Sequence, residues 1–253
     1  WSGIIKAKGI PFFGNNKKWL IIRGVFGATA LTLFFFTIKN LPLAIATTVQ
    51  YLSPVFTVIF AIFLIKEKVK PIQWLYFAIS FSGVLLIGLT KGEGQNMDID
   101  PFWVAMGVVS AVGSGIAYNA IMKCRQTDEP ITIVMYFPLI AAPVTLIISL
   151  INGFIIPIGV EWLLILIIGV FTQFAQIYMT KALHSEKAAI VTPFKYFGAV
   201  YAIFIGSFVF FEDLVPILYI GILLIISGVL LNSIGKIADS IKKRKSREAK
   251  PSN

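Results

Sequence analysis

Two basic residues stand inside apolar surroundings, where a charge must be put to use. Lys195 lies about seven residues into an apolar run that begins at Ala188. An ammonium within a bilayer costs about 2.5 to 3.5 kcal/mol or more, so it has to face a wet cavity or a partner. It is the first candidate to bind the negative group of a ligand. The plainer role is a lysine that snorkels to the interface or pairs with carbonyls freed by Pro193. Arg23 stands near the start of the run from Trp19 to Ile38. There a guanidinium serves first as an interfacial anchor and second as a bidentate grip on carboxylate or phosphate at a cavity entrance.

Polar groups cluster around these charges. Thr47, Thr48, Gln50, Tyr51, Ser53 and Pro54 interrupt one apolar run, and Thr192, Pro193, Lys195 and Tyr196 interrupt another. Interrupted helices at corresponding places in two halves are a sequence mark of a binding site, while hydroxyls that satisfy backbone groups around proline are the bland alternative. Ser114, Tyr118 and Asn119 recur at helical spacing, as do Gln173 and Gln176. They either line the same space or join helices. No Asp or Glu falls inside an apolar run, since Glu67, Glu161 and Glu212 stand at run ends. A buried carboxylate that trades a proton for a cation is therefore missing from these 253 residues. Cys124 is the one cysteine and His184 the one histidine. No metal-ligand cluster, phosphate-binding loop or nucleophilic triad emerges, so the sequence predicts neither an enzyme nor a cofactor.

The elements that position these residues are membrane helices. The chain is 57% hydrophobic and 13% charged, with a mean hydropathy of +0.86, too apolar to cover a soluble globule. Eight runs, starting at Trp19, Leu41, Ile72, Phe102, Ile131, Trp162, Ala188 and Leu214, each approach the roughly 20 residues a spanning helix needs. None alternates as a barrel strand would. If the runs alternate in direction, nineteen basic residues fall on one side and only Lys39 and Lys91 on the other. That bias places both visible ends in the cytoplasm and explains the net charge of +10 without nucleic acid. The basic residues from Lys236 to Lys250 read as a solvated tail with some attraction to anionic lipid.

The segment from Ala44 to Leu86 returns without a gap as Ala189 to Leu231, with fourteen identities in forty-three positions at an offset of 145. Thr47, Tyr51, Glu67 and Pro71 thereby match Thr192, Tyr196, Glu212 and Pro216. Five runs separate a residue from its repeat mate, so the two copies cross the membrane in opposite directions. Residues 101–235 hold five runs of the second copy, but residues 1–90 hold only three of the first, with 236–253 as the tail. The expectation is an all-α fold of ten helices in two inverted five-helix repeats, eight of them visible, in a protein of roughly 300 residues. Glu67 and Glu212, each four residues before a proline, are expected at helix-turn-helix corners, favouring the positive end of the helix that follows.

Four phrases resemble a known family: Arg23-Gly24-Val25-Phe26-Gly27, Leu41-Pro42-Leu43-Ala44-Ile45-Ala46-Thr47, Leu52-Ser53-Pro54-Val55-Phe56 and Lys66-Glu67-Lys68. They are similar to the EamA-type transporters of the drug/metabolite transporter superfamily. Looser versions stand in Lys187-Ala188-Ala189-Ile190-Val191-Thr192-Pro193 and Phe211-Glu212-Asp213. The resemblance spans nearly the whole chain. It implies ten helices in two inverted halves, cytoplasmic termini and a central cavity, and it leaves the substrate open.

The sequence thus predicts a multi-pass plasma-membrane protein that moves a small anionic or zwitterionic metabolite by alternating access. Lys195, Gln50, Tyr51, Tyr196, Thr47, Thr192, Asn119, Gln176 and Arg23 are its candidate binding residues. Export of neutral amino acids or drugs is the rival within transport, and a membrane scaffold with a basic tail is the rival outside it. Whether the protein forms a homodimer is left open.

Overall fold

The computed structural model describes residues 11, 13–41, 43–92, 100–153, 156–210 and 216–248. All regular elements among them are helical: α1 (Lys17–Asn40), α2 (Leu43–Gln50), α3 (Ser53–Phe60) ending in a π turn (Ala61–Ile65), α4 (Pro71–Gly92), α5 (Pro101–Cys124), α6 (Pro130–Asn152), α7 (Val160–Ser185), α8 (Ala188–Val191) running into a 3-10 turn (Thr192–Tyr196), α9 (Phe197–Phe210) and α10 (Pro216–Glu248). Prolines open α4, α5, α6 and α10, where the missing N–H would have had no helical partner. Asp100 caps α5 by accepting from the Phe102 N–H at 2.9 Å.

Five stretches of the described residues are long and apolar enough to cross a bilayer: Lys17–Asn40, Ala46–Ile65, Pro101–Cys124, Pro130–Ile151 and Val160–Ser185. Pro71–Leu86 and Tyr219–Asn232 are shorter apolar helices. The chain is therefore an integral membrane protein. The other three of the eight expected runs do not reach that length among the described residues, and the run from Ala188 is divided by its 3-10 turn.

The two interrupted runs give way at adjoining places under the offset of 145, which overlap at Tyr51 and Tyr196. The Tyr51 N–H donates to both Thr47 O (3.0 Å) and Thr48 O (3.1 Å), and the Leu52 N–H to Val49 O (3.0 Å), so the chain turns between α2 and α3 just before Pro54. Its counterpart tightens over Thr192–Tyr196 around Pro193. Proline has no N–H to give and crowds the preceding turn, which loosens a helix at that point.

Packing places α1 along α5 and α6, α3 on α5, and α4 along α10. Leu20, Val58, Ile121, Ile133, Leu183, Tyr196 and Ile225 form the buried centre. At the α4–α10 contact the backbones approach so closely that side chains are excluded. A Cβ on Gly83 would stand 2.5 Å from Gly221 O, and one on Gly228 would stand 2.7 Å from Tyr76 O. The repeat offset of 145 converts one contact into the other.

One end of the bundle collects the basic segments. The Asn15 and Asn16 N–H groups donate to the Asp128 carboxylate, His184 Nε2 lies 3.1 Å from Asp128 O, and the Tyr136 hydroxyl donates to Phe13 O at 2.8 Å. Glu67 lies at this end but does not serve the helix that follows it. Its carboxylate accepts instead from the Ala188 N–H (3.1 Å) and the Ala189 N–H (3.3 Å), the unsatisfied donors that start α8. Glu212 lies outside the described residues.

In contrast, α7 is bare over much of its length. Trp162 through Ile168, Val170, Phe171 and Phe174 are all exposed, with nothing near Gly169.

Candidate functional site

Arg23 is not an interfacial anchor: it is 2% exposed. Its Nη2 donates to Gln176 Oε1 at 2.9 Å, and its guanidinium carbon lies 5.0 Å from the centroid of the Phe137 ring. Nε is buried with no partner. No Asp or Glu pairs with Arg23 among the described residues. A buried guanidinium without a counter-ion bears the full desolvation cost of its charge, and an anionic ligand relieves it.

Beside Arg23 opens a cavity of about 200 Å³, walled by Gly27, Leu31 and Phe34 of α1, Gln50 of α2, Ser114, Ala117 and Tyr118 of α5, Phe137 of α6 and Gln176 of α7. Gln50 is held in place from both sides. Its Nε2 donates to Ser114 Oγ, and its Oε1 lies within reach of the Ser110 hydroxyl, both at 3.1 Å. The wall therefore offers a cation, amides and hydroxyls at one side and aromatic and aliphatic surface at the other, the usual make-up of a small-molecule pocket.

Lys195 sits behind this cavity, not in its wall. Its Nζ donates to Ser53 Oγ at 2.8 Å and to Tyr118 Oη at 3.2 Å, with the Tyr118 ring centroid 4.4 Å away. On its other side Lys195 borders a more apolar groove of about 430 Å³ between α7 and α8, which also meets Tyr178, Met179, Glu186 and Phe194.

Of the residues singled out from sequence, the structure brings Arg23, Gln50, Ser114, Tyr118 and Gln176 together at the cavity, with Lys195 one side chain removed. The others face elsewhere. Thr192 Oγ1 donates to Ala188 O at 2.9 Å, a hydroxyl spent on its own helix. Asn119 Nδ2 donates to Thr57 O and Gly115 O, both at 2.9 Å, and so joins α5 to α3. Tyr51 and Tyr196, which share a repeat position, meet edge to face with ring centroids 5.9 Å apart, and the Tyr196 hydroxyl is buried without a partner. Thr47 is half-buried on α2, its carbonyl occupied by the Tyr51 N–H. Phe137 was not anticipated. Nothing distinguishes it from other aromatics in an apolar run except the neighbouring Pro138.

A cavity with a cation, amides and hydroxyls between membrane helices is a feature the membrane transporters share. The EamA-like transporter family profile matches residues 2–89 and 101–234, and the chain belongs to that family, within the drug/metabolite transporter superfamily. Its members are transporters and not enzymes. Similar proteins include the pseudopaline exporter CntI of Pseudomonas aeruginosa, 27% identical over 78% of this chain and 68% of its own length. Solute carrier family 35 member G1 of Homo sapiens is 32% identical over 84% of this chain and 59% of its own length. The riboflavin transporter of Rhizobium johnstonii is 26% identical over 75% and 62%. The chain thus spans about two thirds or less of these relatives. A solved crystal structure superposes with a TM-score of 0.76 at 19% identity, over 92% of this chain and 81% of the other, which is a likeness of fold.

Proposed function

We propose that the whole protein is a secondary transporter that carries a small organic anion or zwitterion through the Arg23 cavity by alternating access between two inverted halves. The observation that carries this reading is the buried guanidinium with no carboxylate partner among the described residues, set in the wall of a cavity that α1, α2, α5, α6 and α7 enclose between them. The cavity's cation, amides and hydroxyls beside aromatic surface suit a small polar metabolite. The named relatives likewise imply a small-molecule substrate, and pseudopaline and riboflavin illustrate the range.

The inverted-repeat reading draws support from contacts that the offset interchanges. Gly83 and Gly228 approach each other's helices reciprocally, Tyr51 touches its mate Tyr196, and the mates Leu31 and Gln176 line the same cavity. Residues beside a two-fold axis must do this. The same operation maps α1 onto residues 162–185 of α7. Since α1 is covered by α5 and α6, the bare face of α7 calls for two equivalent helices, giving ten in all. The basic end that holds Lys17, Lys18, Arg125 and Lys181 is cytoplasmic by the positive-inside rule, in a plasma membrane.

Counterflow uptake into proteoliposomes holding the full-length protein tests the reading. Labelled carboxylates, phosphate esters, zwitterions and cations are offered in parallel. Accumulation of an anion or zwitterion is the expected result. Uptake of cations alone, or no uptake of any solute, overturns it.

A further inference from the structure

We propose that Tyr118 supplies the second charge-seeking donor of the Arg23 cavity, and that Lys195 is a positioning residue that orients and polarises the Tyr118 hydroxyl. The inference rests on the anion reading above.

A phenol oxygen accepts hydrogen bonds and donates one. Tyr118 Oη accepts from Lys195 Nζ at 3.2 Å, and among the described residues no acceptor takes up the hydroxyl's own proton. Tyr118 also lines the cavity with Arg23, Gln50, Ser114 and Gln176. The proton it retains is thus available to a ligand there. Lys195 is not a loose cation that could swing in to meet the ligand itself. Ser53 Oγ fixes its ammonium at 2.8 Å, and the phenol stands between that ammonium and the cavity. A cation donating to a hydroxyl strengthens the O–H as a donor, because hydrogen bonds in a chain polarise one another in a low-dielectric interior. An anion in the cavity then receives N–H bonds from Arg23, whose Nε is unused, and an O–H bond from Tyr118. The second positive charge acts from behind.

This division of labour explains why the half-buried ammonium of the Thr192–Tyr196 turn is paired with two hydroxyls and, among the described residues, with no acid. It also separates Lys195 from its repeat mate Gln50, which reaches the cavity directly.

The test uses the purified full-length protein, with sodium acetate, succinate and phosphate as probes against choline chloride at matched ionic strength. Half-saturating concentrations are read from the shift in thermal midpoint, and KM and maximal rate from counterflow with the same anions. Tyr118→Phe removes one oxygen and keeps the ring. It is expected to raise the half-saturating concentration and KM roughly tenfold, with the maximal rate retained. Lys195→Gln is expected to do the same, Lys195→Arg to restore most of the loss, and the Tyr118→Phe/Lys195→Gln pair to be no worse than the worse single variant. If Lys195→Gln does not fold, Tyr118→Phe and Lys195→Arg still decide the matter. Unchanged KM in Tyr118→Phe, or multiplied losses in the pair, overturns the inference. Binding lost in Arg23→Gln but kept in Tyr118→Phe sinks the inference alone, whereas a wild type that binds and moves none of the probes removes the anion reading and the inference with it.

Discussion

The two broken helices share a backbone fault and differ in the chemistry placed at it. At the first, Gln50 is clasped by Ser110 and Ser114 of α5 and looks into the cavity. At the second, Lys195 is clasped by Ser53 and Tyr118 and backs onto a more apolar groove. Each break has a proline beside it, Pro54 at the first and Pro193 at the second, but the offset of 145 pairs these with Ala199 and Thr48, so the prolines do not correspond, while Gln50 and Lys195, which do, differ in chemistry. The charge that faces the cavity comes from neither break. It comes from Arg23 on α1, whose repeat counterpart is Ile168, an exposed apolar residue on the bare stretch of α7. Under the offset of 145 the site is therefore asymmetric: the charged and amide groups at the cavity and behind it stand at positions whose counterparts carry different chemistry.

The largest expected effect breaks that asymmetry at its source. Arg23→Gln removes the guanidinium and is expected to lower kcat/KM for anion uptake by about 100-fold, from the loss of charged hydrogen bonds of about 1.5 to 3 kcal/mol each. Protein yield should hold or rise, because an uncompensated buried charge has gone. Next comes the frame. Gly83→Leu and Gly228→Leu each force a side chain into a backbone contact and are expected to destabilise by about 1 to 3 kcal/mol, by similar amounts. Thermal midpoints that differ widely between the two would break the reciprocity of the α4–α10 contact. Gln50→Leu cuts the bond to Ser114 and loses the weaker approach of Ser110, whose proton goes chiefly to Ala30 O, and should cost about 0.6 kcal/mol in stability, with a modest rise in KM. The smallest effect falls on the sites the structure assigns to helix joining. Thr192→Val is expected to shift stability by less than about 0.5 kcal/mol and leave KM unchanged, since its hydroxyl serves only Ala188 O.

Much of the frame was legible because its signals are local or periodic. Apolar run length gave helices, proline position gave the breaks at Pro54 and Pro193, and the fixed offset matched residues that the structure then set against each other. The site was less legible because burial depth depends on neighbours distant in sequence. Arg23 stands only about one turn into its run, a spacing that fits a snorkelling anchor. It is buried because α6 and α7 close over it with Phe137 and Gln176, from more than a hundred residues away. Lys195 lies deeper in its run and so looked the more committed to a ligand, but hydroxyls of α3 and α5 reach it first. Glu67 shows the same limit. Its spacing from Pro71 suggested a cap for the next helix, and only the fold reveals that the open N–H groups nearest to it belong to α8.

The most direct measurement is counterflow kinetics of wild type, Arg23→Gln and Lys195→Gln side by side in proteoliposomes, with the best-transported anion of the panel. If Arg23 faces the ligand and Lys195 stands behind Tyr118, uptake in Arg23→Gln falls by about two orders of magnitude, while Lys195→Gln keeps its maximal rate and loses only about tenfold in KM. Full activity in Arg23→Gln together with abolished uptake in Lys195→Gln would contradict the account and move the binding site into the groove between α7 and α8.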